Sequence, residues 1–269
     1  MKTKISLLLL AIVAFIATSC EPINGPKNTP YFSVSPEQKV AFSPGNLQYK
    51  ASTKEWRFAE NQYDYIGEDN IHISDTYAGW IDLFGWGTGN NPTLDTFDLV
   101  DYFYGSLWET NSINGDIPNT WRTLTDLEWR YLLDKRPNAE MLYGIAQVNG
   151  TNGLILLPDN WVAPRGVNFT YGFHTDESKE AYAEFQTFTK KEWNKLEKSG
   201  AIFLPAAGMR SPDFGDGAQI HYVQIYGMYW TSDLNGTTTA SMCFSSAIAS
   251  YDVKRALYEG LSVRLVKDL

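Results

Sequence analysis

Two cysteines, three histidines and a scatter of carboxylates are the groups from which this 269-residue chain could assemble reactive chemistry. His72, His174 and His221 stand in unrelated contexts, and the chain has no HxxxH, HExxH, CxxC, GxSxG, phosphate-binding-loop or EF-hand pattern. The residue types of a zinc site or a nucleophile and base pair are therefore present without the spacing that would bring them together. Asp213 and Asp216, beside Gly215 and Gly217, offer the hard oxygen donors that calcium takes, although solvated turn residues explain them better. Asp95, Asp98 and Asp101 recur every three residues, which a capped acidic helix explains as well as a metal would. No cofactor is expected, with calcium the one open question. What remains is non-covalent recognition. Trp80, Trp86, Tyr102, Tyr104 and Trp108 crowd a loop-rich stretch with Asn90 and Asn91, and exposed rings beside amides suit the faces and hydroxyls of a sugar. Trp86, flanked by Gly85, Gly87 and Gly89, is the ring most expected at the surface.

Elements must hold those groups in place. Thr125 with Glu128, and Thr189 with Glu192, share the pattern T-Φ-T-x-x-E-W-x-x-L, in which threonine caps a helix and the glutamate three residues on returns a hydrogen bond. Leu124 with Trp129 and Phe188 with Trp193 occupy the hydrophobic-staple positions of the same two helices. Capping accounts for both glutamates without a catalytic role. Short β-branched or aromatic runs at 39–42, 46–49 and 55–58 predict hairpin strands, and apolar runs at 153–157 and 200–204, each stopped by proline, predict buried ones. Further strands are expected at 228–231, 240–244 and 262–266, with loop at 85–96. Two short helices among many strands predict an α+β fold.

Composition limits the partners. The chain holds 22 Lys and Arg against 31 Asp and Glu, a net charge of −9, with no basic run beyond the first four residues, which excludes nucleic acid as a partner. Lys2 and Lys4, the apolar stretch from Ile5 to Ile16 and the small residues Ala17-Thr18-Ser19 read as an export signal over 1–19. Its removal would leave 20 cations against 31 anions, or −11. Cys20 directly after the small residues is the expected site of lipidation, and 20–30, with three prolines, reads as a tether to a single domain over 31–269. An outer-membrane or cell-surface lipoprotein is the compartment this implies.

The segment Trp121-Arg122-Thr123-Leu124-Thr125-Asp126-Leu127-Glu128-Trp129 resembles a helix entry found in proteins related to the formylglycine-generating enzyme and in the Fibrobacter succinogenes major paralogous domain. Phe203 to Arg210 (FLPAAGMR), Tyr229 to Ser232 (YWTS) and Gly260 to Val266 (GLSVRLV) resemble further landmarks of that group, in the same order. The opening of the domain, Phe42 to Leu47 and Trp56 to Asn61, is similar to that of Bacteroidales-type lipoproteins carrying such a domain. The resemblance implies a C-type-lectin-like fold with two short capped helices, mostly antiparallel strands and long loops. It also implies an oxidase built on two cysteines and copper, and here the chain departs, since Cys243 stands alone in the domain and alternates like a strand residue.

The expected function is that of a non-enzymatic, membrane-anchored binding module for a glycan or for an envelope or host protein. The ligand-binding residues expected are Trp86, Asn90, Asn91, Arg210, Asp213, Asp216, Tyr229 and Trp230. A degenerate formylglycine-generating-type oxidase and a structural or adhesive subunit of a surface assembly are the alternatives.

Overall fold

A computed structural model describes residues 29–174, 181–236 and 238–269. The export signal, the lipidation site Cys20 and the tether up to residue 28 lie outside the described residues. The architecture is mixed α+β, with short helices and mostly antiparallel strands. In chain order the main elements are β1 (Phe32–Ser33), β2 (Lys39–Phe42), β3 (Leu47–Lys50), β4 (Glu55–Phe58), α1 (Leu99–Phe103), β5 (Arg122–Thr123), α2 (Asp126–Arg130), β6 (Tyr143–Val148), β7 (Thr151–Leu156) and α3 (Tyr182–Phe185). They continue with β8 (Thr187–Phe188), α4 (Lys190–Lys198), β9 (Ile202–Pro205), β10 (Met209–Ser211), β11 (Gln219–His221), β12 (Gly227–Trp230), β13 (Thr238–Phe244), β14 (Ala249–Ala256) and β15 (Leu265–Asp268).

One sheet runs β1-β2-β15-β5, so a C-terminal strand lies between two from the first half of the chain, with Phe42 opposite Val266 and Thr123 opposite Leu265. A second runs β8-β6-β7-β9. Its β6 and β7 are joined by Asn149-Gly150, both at positive φ as a type I′ hairpin turn requires, and β7 meets β9 with Leu154 opposite Leu204. A third sheet is β12-β13-β14, and β3-β4 and β10-β11 are separate hairpins.

Both expected caps are made. Thr125 Oγ1 accepts the Glu128 amide at 3.1 Å while Glu128 Oε2 accepts the Thr125 amide at 2.8 Å, and Thr189 and Glu192 repeat the exchange at 3.3 and 2.9 Å. Leu124 and Trp129 are buried in one apolar cluster, and Phe188 and Trp193 in another. Beyond α2 the chain widens into a π-helical turn over Tyr131–Lys135.

Polar side chains cross the interior between these layers. Arg264 is fully buried without a carboxylate in ion-pair range among the described residues. Its Nη2 donates to Gln62 Oε1 at 2.6 Å and its Nη1 to the Phe203 carbonyl at 3.4 Å, and burial lowers its pKa to about 10. Tyr229 donates its hydroxyl to the Pro205 carbonyl at 2.9 Å and receives Asn46 Nδ2 at 3.3 Å.

Candidate functional site

The structure corrects four of the eight expected ligand-binding residues. Trp86 is only 6% exposed and its indole N–H donates to the Thr231 carbonyl at 2.9 Å. Trp230 is 1% exposed and donates to the Phe84 carbonyl at 2.6 Å, so the two rings bind the 84–86 segment to the end of β12 from both sides. Tyr229 belongs to the polar interior, and Arg210 is fully buried and paired with Asp95. The glycines around Trp86 explain the reversal. A Cβ on Gly85 would meet the Tyr102 ring at 2.4 Å and one on Gly89 would meet the Leu107 carbonyl oxygen at 2.2 Å. The missing side chains let the loop sink against residues 102–107 and carry the ring inward.

Asp213 and Asp216 are exposed, but Asp213 Oδ1 is occupied by the Gly215 and Gly217 amides at 2.6 and 2.7 Å, which hold its carboxyl below the ordinary range. That is a side-chain turn closing its own loop. Among the described residues no group of three or more His, Cys, Asp or Glu side chains converges. Asp98 caps α1 through the Val100 amide at 3.0 Å and Asp95 is taken by Arg210, leaving Asp101 alone at the surface. Burial pushes the Cys243 thiol up, against the opposing effect of Arg255, whose Nη2 lies 3.8 Å from the sulfur. The thiol lines a mainly apolar hollow of about 380 Å³ with Tyr222, Tyr226, Met228, Ile248 and Val253.

Asn90 and Asn91, by contrast, are exposed and meet in one pocket of about 480 Å³, lined also by Tyr49, Ala51, Lys54, Asp75, Pro92 and Thr93. Three separated segments build it. The β3-β4 hairpin supplies Tyr49 and, from its turn, Lys54, whose amide donates to the Ala51 carbonyl at 3.2 Å with φ at 55°. The loop before Ile81 supplies Asp75, and the Gly-rich loop supplies residues 90–93. Tyr49 is fixed by paired backbone bonds to Ile81, each 2.9 Å, and by its ring against Trp56 at 4.6 Å. Thr93 Oγ1 donates to Asp75 Oδ1, and Asn90 Oδ1 accepts the Ser106 amide at 3.3 Å. Burial, helped by the Asp75 carboxylate, pushes the Tyr49 phenol above its ordinary value, which keeps it a neutral donor. Amides, a carboxylate, a hydroxyl and an ammonium thus line one concavity, whose volume falls within the roughly 300–1,000 Å³ range of small-ligand clefts. Lys54, Asp75, Tyr49 and Thr93 were not singled out by sequence, because no local pattern joins segments so far apart.

A second surface lies across the loops at 94–104 and 213–217. Phe97 and Phe214, 56% and 63% exposed, stack with ring centroids 5.5 Å apart, and Tyr258 meets Phe214 edge-on. Val100, Phe103 and Tyr104 of the first loop are exposed as well. The Asp95–Arg210 pair ties the first of these segments to β10, from which the second follows. No family model, curated protein or solved structure matches the chain.

Proposed function

We propose that this protein is an exported, lipid-anchored binding module of C-type-lectin-like fold that takes a glycan in the Asn90–Asn91 pocket. The observation that carries the reading is the convergence of Asn90, Asn91, Asp75, Thr93 and Tyr49 on one concavity. Sugar hydroxyls both donate and accept, and this set offers acceptors and donors in close alternation. Stacking contributes less than the aromatic content suggested, because Tyr49 is buried against Trp56 and Trp80 is covered by the Arg57 guanidinium at 3.7 Å. The placement at the outer membrane or cell surface rests on the leader pattern and Cys20 alone.

Titration calorimetry of the domain against a panel of neutral and acidic oligosaccharides tests the reading. Removing the Asn91 amide (Asn91→Ala) or the Asp75 charge (Asp75→Asn) is expected to weaken a bound sugar about tenfold, the value of one or two hydrogen bonds. Unchanged affinity in both variants, or no binding by the parent protein, refutes it.

A protein ligand is the second reading, favoured by the exposed Phe97–Phe214 stack, since contiguous exposed aromatic rings are the usual anchors of protein interfaces. The oxidase alternative gains no support from Cys243, whose buried, upshifted thiol has no second cysteine beside it among the described residues. The strand-donating alternative gains none from β2, which is already paired on both edges and leaves only the two-residue β1 as an N-terminal edge of that sheet.

A further inference from the structure

Resting on the glycan reading above, we infer that the sugar this pocket selects is acidic, carrying a single carboxylate of the hexuronic type that Lys54 receives. Lys54 is exposed on the pocket lining, and among the described residues its ammonium makes neither an ion pair nor a hydrogen bond. The neighbouring basic side chains are otherwise engaged. Arg57 bonds Gln48 at 2.9 Å and covers the Trp80 ring, which Lys50 also approaches at 5.8 Å. Asp75, the pocket's one acid, is taken up by Thr93 and stands with the two asparagines as a hydroxyl acceptor.

The backbone adds an independent reason. At φ 55° Lys54 occupies a left-handed turn position that glycine or asparagine fills at less cost. Glycine would close the hairpin equally well, so the side chain is what the lysine adds to a residue that lines the pocket. One unpaired cation opposite a set of hydroxyl acceptors matches a sugar with one anionic group. A densely sulfated polymer would need a basic run, which a chain of net charge −9 does not have here.

The experiment compares a neutral oligosaccharide ending in one galacturonate, the same oligosaccharide with that carboxylate reduced to the alcohol, and a sulfated heparin oligosaccharide, each titrated into the parent protein and into Lys54→Gly. The glycine variant relieves the left-handed strain, so it folds at least as well, and a thermal melt verifies this. The uronate is expected to bind about tenfold more tightly than its reduced form, with the preference shrinking as salt is raised, and Lys54→Gly is expected to abolish the preference while retaining weak binding of the reduced sugar. Equal affinity for uronate and reduced sugar, an undiminished preference in Lys54→Gly, or tighter binding of the sulfated probe overturns the inference. If both neutral and acidic sugars bind equally and Asn91→Ala weakens both, the glycan reading stands and only the acidic selection falls. If the parent binds none of them, both fall.

Discussion

Asp82 shows how much of a buried carboxylate's behaviour is set by its immediate neighbours. Its Oδ2 accepts the Ile66 amide and its Oδ1 the Asn70 side-chain amide, each at 2.9 Å, while Asn70 Oδ1 accepts the Asp82 and Leu83 amides. Burial nonetheless prevails over these bonds and raises the carboxyl from 3.8 to about 6. The folded state then holds a proton that the unfolded chain has lost. Stability from the protonated form is full below about pH 3.8 and is lost as the pH rises through about 6. Asp82→Asn has no such loss, so its urea midpoint measured against the parent's is expected to improve between pH 4 and pH 7. A constant difference across that interval would remove Asp82 from the account. Arg210, Tyr229 and Arg264 prove to be buried polar cross-links, to Asp95, the Pro205 carbonyl and Gln62 respectively, so their part is in the architecture. The binding residues carry no such pattern, since residues 49, 54, 75 and 90–93 meet only through the fold.

At the scale of elements, local chemistry was legible and non-local packing was not. The helix starts could be read because a cap and its staple are written within six residues, as Leu124 to Trp129 illustrate. Glu128 has a further task that the cap pattern hid, for it also grips Arg122 with two bonds of 2.7 and 2.8 Å. Glu128→Ala loses both, and a fall in stability of about 1–2 kcal/mol is expected, a larger loss than that of Glu192→Ala, whose cap is exposed and has no arginine. Equal losses in paired chemical melts would mean that the Arg122 bridge contributes nothing. Strand β6 went unread although Asn149-Gly150 between apolar runs is a strong hairpin signal. Strand β14 carries the alternation Ser250-Tyr251-Asp252-Val253-Lys254 but is a half-exposed edge, with a bulge where Tyr251 and Asp252 share Met242 as their opposite residue. The glycines near Trp86 were read with the wrong sign, since an absent side chain permits burial as readily as display. Gly105 makes the point testable: a Cβ there would fall 1.9 Å from the Gly87 carbonyl oxygen, which belongs to backbone and cannot swing aside. Gly105→Ala is expected to cost on the order of 2–3 kcal/mol, read as a lowered urea midpoint, where a surface alanine would cost little.

Across the whole molecule, the decisive fact is that the first and last strands of the described residues share one sheet. β15 lies between β2 and β5, its Val266 opposite both Phe42 and Arg122, and the Ser43 amide donates to the Leu265 carbonyl at 2.8 Å. The strand-rich opening is therefore knit into the same core as the landmark-bearing second half, which the sequence alone presented as adjoining stretches. It also explains why the pocket is well supported: the β3 amide of Leu47 bonds the Val263 carbonyl at 2.9 Å, so the wall bearing Tyr49 and Lys54 hangs from the C-terminal segment. Such closure makes distant residues interdependent, because contacts joining the ends form only once most of the chain is in place. Ending the chain at Arg264 removes β15, strips β5 of its partner and β2 of one of its two, and withdraws Leu265 and Val266 from the core. The expected result is the loss of cooperative thermal unfolding followed by near-ultraviolet circular dichroism, together with loss of sugar binding at a pocket that contains none of the deleted residues. A truncated protein that still melts in one sharp transition at the parent's temperature would show that the pocket-bearing half stands without that sheet.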